Sequence, residues 1–134
     1  MLLATKDRVP LPVVVRNMLG LKGVVRLVAD LVEDGRASLT TEREFEAARD
    51  ALSLAAEKNP AVALAALDRF QVVPVTAEGR LVLSVALRAH LDALDHQVVR
   101  LVVENGRLSL WSERAWRSSR TGRMELIART LDGG

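Results

Sequence analysis

The chain has no cysteine and no tyrosine, and only two tryptophans, two phenylalanines and two histidines. Without cysteine there is no disulfide framework, no thiolate chemistry and no cysteine zinc site, and the composition suits a reducing compartment. Aromatics at 3% leave too few flat surfaces to stack a run of single-stranded bases. Lysine is scarce as well, at Lys6, Lys22 and Lys58. No apolar run reaches the roughly 18 residues of a membrane span, so none is expected. Near residue 1, Lys6, Asp7, Arg8, Pro10, Pro12 and Arg16 interrupt any apolar stretch, so no leader segment is expected there. His90 and His96 have no second histidine at metal spacing and read as surface or packing residues. Glu42 and Glu44 read as charges at a helix start, not as an acid–base pair. No nucleophile–base pair, glycine-rich phosphate loop or metal cluster stands out. Enzyme activity, a cofactor, a metal site and a small-molecule substrate are therefore not expected.

What is present is a core-forming chain of 134 residues, 49% hydrophobic and 27% charged. That length fits one domain or two very small ones. The net charge of +2 is weak, but its positive side is mostly arginine. Arginine forks match phosphate and guanine edges, although a GC-rich coding sequence produces the same bias.

The sequence repeats internally. Arg8, Leu11, Val13, Arg16 and Leu19 match Arg80, Leu83, Val85, Arg88 and Leu91 at constant spacing. "VVRLV" at 24–28 recurs at 98–102, and "DGRASLTTEREF" at 34–45 matches "NGRLSLWSERAW" at 105–116. Each copy reads as strand, turn, strand, short helix, hairpin and trailing helix. Asp34-Gly35 and Asn105-Gly106 are signals for two-residue type I′ hairpin turns. Thr41 with Glu44 has capping-box spacing. Ser112 caps the second copy, with Ala115 in place of the reciprocal carboxylate. Pro60 stops the first trailing helix, and a short second helix is expected over residues 61–67. "FQVVPV" at 70–75 reads as a strand with Pro74 at an edge or bulge. Pro12 and Ser84 open the two short helices. Units of about 50 residues have little core of their own and should pack together.

The boundaries are a first repeat at 1–50, a helical spacer at 51–68, a second repeat at 69–118 and a tail at 119–134. In that tail Ser118, Ser119 and Gly122 weaken any helix carrying Arg114, Arg117, Arg120 and Arg123, so a frayed, solvated segment is expected. Trp111 and Trp116 are expected to anchor the core or a subunit interface.

"EGRLVLSVALRAHL", "VVRLVVENGRLSLW" and "SERAW" together resemble the second repeat of MraZ proteins, bacterial regulators of the SpoVT/AbrB superfamily. "KDRVPLPVVVRNMLG" resembles the first repeat. The resemblance spans about residues 3 to 117. It implies an α+β fold of two tandem swapped-hairpin (AbrB-like) β-barrel repeats forming an intrachain pseudo-dimer with short helices. It also implies ring-like homo-oligomers in a cytoplasmic, nucleoid-associated setting. The implied role is binding to double-stranded DNA at promoter direct repeats, as a repressor of a division and cell-wall gene cluster.

The family signature places an aspartate four residues before a DNA-contacting arginine. The arginines are present as Arg8 and Arg80, but the aspartate positions hold Ala4 and Thr76. The preceding glycine survives as Gly79 and is Asp7 in the first copy. Losing both aspartates should leave the arginines less organised. The second copy is expected to be the better contact, because Gly79 lets backbone approach a ligand. Lys6 adds positive charge to the first loop. Arg16 and Arg88 match helix arginines that superfamily members place near DNA, or they form a solvated face or bridge to a neighbour. A different class of protein fits the losses too: an oligomeric scaffold that no longer binds DNA. An antitoxin is disfavoured by the tandem copies.

Overall fold

The computed structural model describes residues 2–4, 7–31, 33–94 and 98–132. Lys6 and His96 lie outside the described residues. The chain is α+β. The first half runs β1 (Leu2–Ala4), β2 (Arg8–Pro10), α1 (Val13–Met18), β3 (Arg26–Asp30), β4 (Arg36–Thr41), α2 (Glu42–Lys58) and α3 (Pro60–Arg69). The second half runs β5 (Phe70–Pro74), β6 (Arg80–Val82), α4 (Val85–His90), β7 (Val98–Glu104), β8 (Arg107–Ser112), α5 (Glu113–Ser118) and α6 (Arg120–Leu131). Among the described residues no helix is long and apolar enough to cross a membrane.

Helix starts follow local chemistry. Thr41 Oγ1 accepts the Glu44 N–H at 3.1 Å, and Glu44 Oε1 accepts the Thr41 N–H at 3.2 Å, a reciprocal capping box. Ser84 accepts from Leu87 N–H and Ser112 from Ala115 N–H. Asn59 ends α2 in extended backbone and caps α3 by accepting from Ala61 N–H. Pro60 then occupies the first helical position, where no N–H is needed, and α3 extends to Arg69, beyond the expected 61–67.

The strands form two antiparallel sheets, one in the order β1-β7-β8-β4-β3-β5 and a two-stranded ribbon, β2-β6. Pro74 sits on β5, an edge strand, where its missing N–H costs no ladder bond. The registers mirror each other across the halves. Val9 faces Leu81 in the ribbon, and Ser38 faces Ser109 at the centre of the larger sheet. At the edges Leu2 faces Arg100 and Pro74 faces Arg26, so each outer strand lies on the hairpin of the opposite half. The main core draws on both halves: Val9, Leu27 and Leu39 pack with Leu81, Leu87 and Leu110.

The far face of the larger sheet carries a smaller cluster of Val102, Trp111 and Trp116. The indoles meet edge to face at 5.5 Å, and the Arg100 guanidinium stacks 4.9 Å above Trp116. Arg100 is nearly fully buried and hydrogen-bonds both Glu113 oxygens at 3.2 Å and Glu125 at 3.4 Å.

Two expectations are corrected. Residues 120–131 are helix α6, not a frayed tail. Ser119 caps it by accepting from Gly122 N–H at 3.0 Å, and Gly122 packs where a Cβ would overlap the Trp116 carbonyl. The Arg114-to-Arg123 stripe is thus broken at Ser119. Asp34-Gly35 does not form a type I′ turn. Asn105 and Gly106 both have the required positive φ, at 53° and 73°, but in the first hairpin only Gly35 does, at 72°. Long-range bonds pull that loop out of its hairpin. Leu31 N–H donates to Arg69 O at 2.8 Å, Ser112 N–H donates to Gly35 O at 2.7 Å, and His90 Nε2 lies 2.8 Å from the carbonyls of Glu33 and Arg36.

Candidate nucleic-acid interface

The β2-β6 ribbon sorts its side chains by the two-residue period of a strand. Val9 and Leu81 are fully buried, so Arg8 and Arg80 are turned to the exposed face. Arg8 lies opposite Val82 and Arg80 opposite Pro10. The two arginines are therefore diagonal neighbours, about 7–8 Å apart by ribbon geometry. The ribbon thus brings together arginines that are far apart in sequence.

The turn before β6 is closed by its own residues. Gly79 N–H donates to Thr76 O at 2.9 Å, Thr76 N–H to Arg80 O at 2.8 Å, and Arg80 N–H to Thr76 Oγ1 at 3.1 Å. Thr76 stands where the resemblance has aspartate, and its hydroxyl supplies an acceptor that holds the turn. The expectation of a loosened second loop is revised accordingly. Gly79 adopts φ +78° in a region that side-chain-bearing residues enter at a cost. It is buried, with the Arg16 guanidinium over it: a Cβ at Gly79 would lie 2.7 Å from Arg16 Cζ and 2.8 Å from Nη1. The group that approaches this backbone is therefore Arg16, not an outside ligand.

The first loop is built differently. Asp7 has no positive φ, and its carboxylate lies 4.0 Å from Arg8 Nε. Its carbonyl nevertheless accepts from Leu83 N–H at 2.7 Å, matching the 2.9 Å bond from Leu11 N–H to Gly79 O. Arg16 and Arg88 are both half-buried on their short helices, and neither forms an open solvated face.

One charged group was missed from the sequence. The Glu78 carboxyl is held below its usual range, first by a hydrogen bond to its own backbone and next by the Thr76 hydroxyl. Slight desolvation opposes this, and the charges of Arg80 and Arg8 add to it. Glu78 is thus an ionised carboxylate near both arginines. The signal was available: Glu78 stands two residues before Arg80, where Lys6 stands before Arg8.

At another part of the surface, a cavity of about 310 Å³ lies between the Asn105-Gly106 turn and Thr41. Its lining includes Leu21, Leu39, Leu108, Arg107 and Glu44, and none of the candidate arginines. Among the described residues no group of three or more histidines and carboxylates could hold a metal ion. No family model and no curated protein matches the chain.

Proposed function

We propose that this chain is a sequence-specific regulator of transcription of the MraZ type, binding promoter repeats in double-stranded DNA. The observation that carries this reading is the pairing of Arg8 and Arg80 on the exposed face of one two-stranded ribbon. A ribbon of that width fits the major groove, and its arginines reach phosphates and guanine edges. On this reading the fold is a swapped-hairpin pseudo-dimer. Its support is the mirrored strand order, in which β1 joins the second half's hairpin and β5 the first's.

The protein acts as a homo-oligomer, a ring in this proposal. Helices α2 and α3 bury no residue, and Leu54, Leu64 and Leu67 are 64%, 67% and 71% exposed. Exposed large apolar side chains on both helices fit subunit contacts. Repeated subunits multiply a weak contact through effective concentration. A cytoplasmic, nucleoid-associated location follows from the same reading.

The test is selection of bound duplexes from random DNA, repeated with an Arg8→Ala, Arg80→Ala double variant. Enrichment of one motif by the wild type and its loss in the variant is the expected result. Absence of any salt-dependent DNA retention would sink the reading. An oligomeric scaffold without DNA binding is the second reading, favoured by the carboxylates of Asp7 and Glu78 beside the two arginines. An intact oligomer that retains no DNA would support it.

A further inference from the structure

We propose that Arg16 is a positioning residue for the turn that carries Arg80, acting across the two halves of the chain through Gly79. This rests on the DNA-binding reading for its functional consequence, but not for its structural part. Three observations converge. The Arg16 guanidinium lies face-on to the Cα of Gly79, with Cζ, Nη1 and Nη2 at 2.7, 2.8 and 3.1 Å from where a Cβ would stand. Arg16 Nε is buried without a hydrogen-bond partner among the described residues, so packing and not a bond holds that end of the guanidinium. A planar, weakly hydrated cation suits that role in a way an ammonium does not. Finally, Leu11 N–H donates to Gly79 O at 2.9 Å. The same turn is therefore held from the strand leading into α1 and capped from the end of α1.

The consequence is directional. Gly79 is locked between Arg16 above and the Thr76 hydrogen bonds beside it, and Arg80 is the next residue. Its Cα–Cβ direction is set by that lock. The corresponding loop of the first half cannot be held the same way. Asp7 occupies the glycine position, carries a side chain and lacks the positive φ. One ribbon thus presents one arginine from a turn buttressed by its partner half and one from a turn built otherwise.

The experiment uses the full chain with Arg16→Ala and Arg16→Lys. Amide hydrogen exchange is followed at Gly79 and Arg80, and duplex binding is titrated against salt with a sequence selected by the wild type. Arg16→Ala is expected to speed exchange at those two amides about tenfold, the loss of one modest interaction, with core amides such as Leu110 unchanged. Duplex affinity should fall while the salt slope stays constant. Arg16→Lys should rescue neither readout, because charge without the flat face does not cap the turn.

Rescue by lysine, or a slope reduced by about 0.9, would make Arg16 a phosphate contact and overturn the proposal. Unchanged exchange in Arg16→Ala would overturn it as well. If Arg16→Ala does not fold, Arg16→Lys alone decides, since fast exchange with an intact core supports the buttress and wild-type exchange refutes it. A wild type that binds no duplex fails the DNA reading, and exchange then decides the structural role by itself.

Discussion

At the scale of single residues, burial separates side chains that look alike in the sequence. Arg26 and Arg100 hold matching places in the repeat, and each pairs with the first glutamate of its trailing helix. The Arg26–Glu42 pair at 3.0 Å is exposed on both sides. Arg100 is 7% exposed and also engages Glu125 and Trp116. Arg26→Met should therefore cost under about 1 kcal/mol. Arg100→Met should cost on the order of 3 kcal/mol, because two carboxylates lose a buried partner; urea denaturation of both variants checks the difference. Glu78 supplies a second residue-scale prediction. On the DNA-binding proposal its carboxylate competes with phosphate for Arg8 and Arg80, so Glu78→Gln should tighten duplex binding, most at low salt, where charge interactions are least screened. Titration at two ionic strengths reads this out, and equal affinities would mean that Glu78 does not compete.

At the scale of elements, the caps and one hairpin were legible because their energetics lie within a few residues. Thr41 with Glu44, Asn59-Pro60 and Asn105-Gly106 all act locally. Asp34-Gly35 carries an equally good local signal and forms a different loop, because Ser112, Arg69 and His90 bind its backbone from elsewhere in the chain. The glycines of the two loops should respond differently to substitution. A Cβ at Gly106 meets open space, whereas one at Gly35 would lie 2.8 Å from Ala115 Cβ and Ser112 Oγ. Gly106→Ala should cost only the left-handed strain, about 1–2 kcal/mol. Gly35→Ala should cost more and shift the melting point further. The tail was misread for the converse reason. Ser119 and Gly122 are poor helix formers in isolation, yet one caps α6 and the other fits it against the Trp116 carbonyl.

At the scale of the whole molecule, one buried network links the sheet to both C-terminal helices. Burial pushes the Glu113 carboxyl up, but hydrogen bonds and charge from Arg100, with Arg117 adding, bring it net below its usual range. A carboxyl depressed on folding stabilises the protein above its unfolded value, about 4.3, and this contribution is lost as pH falls through the folded value. Urea midpoints should thus decline on acidification, and Glu113→Gln should flatten that decline; an unchanged acid profile would remove Glu113 from the account. The sequence by itself determined the order of elements as far as α5, the starts of α1, α2, α4 and α5, an edge or bulge place for Pro74 and the presence of two arginine-bearing strands, because each depends on chain neighbours and on periodicity. Only the tertiary structure decided that β1 and β5 cross to the opposite hairpins. The same holds for the Arg16 guanidinium over Gly79, the nearness of Glu78 to Arg8 and the burial of Arg100. These contacts join residues separated by whole elements. Forming them requires closing long loops, an entropic cost offset only by the packing of the whole core, and no local pattern in the chain encodes that packing.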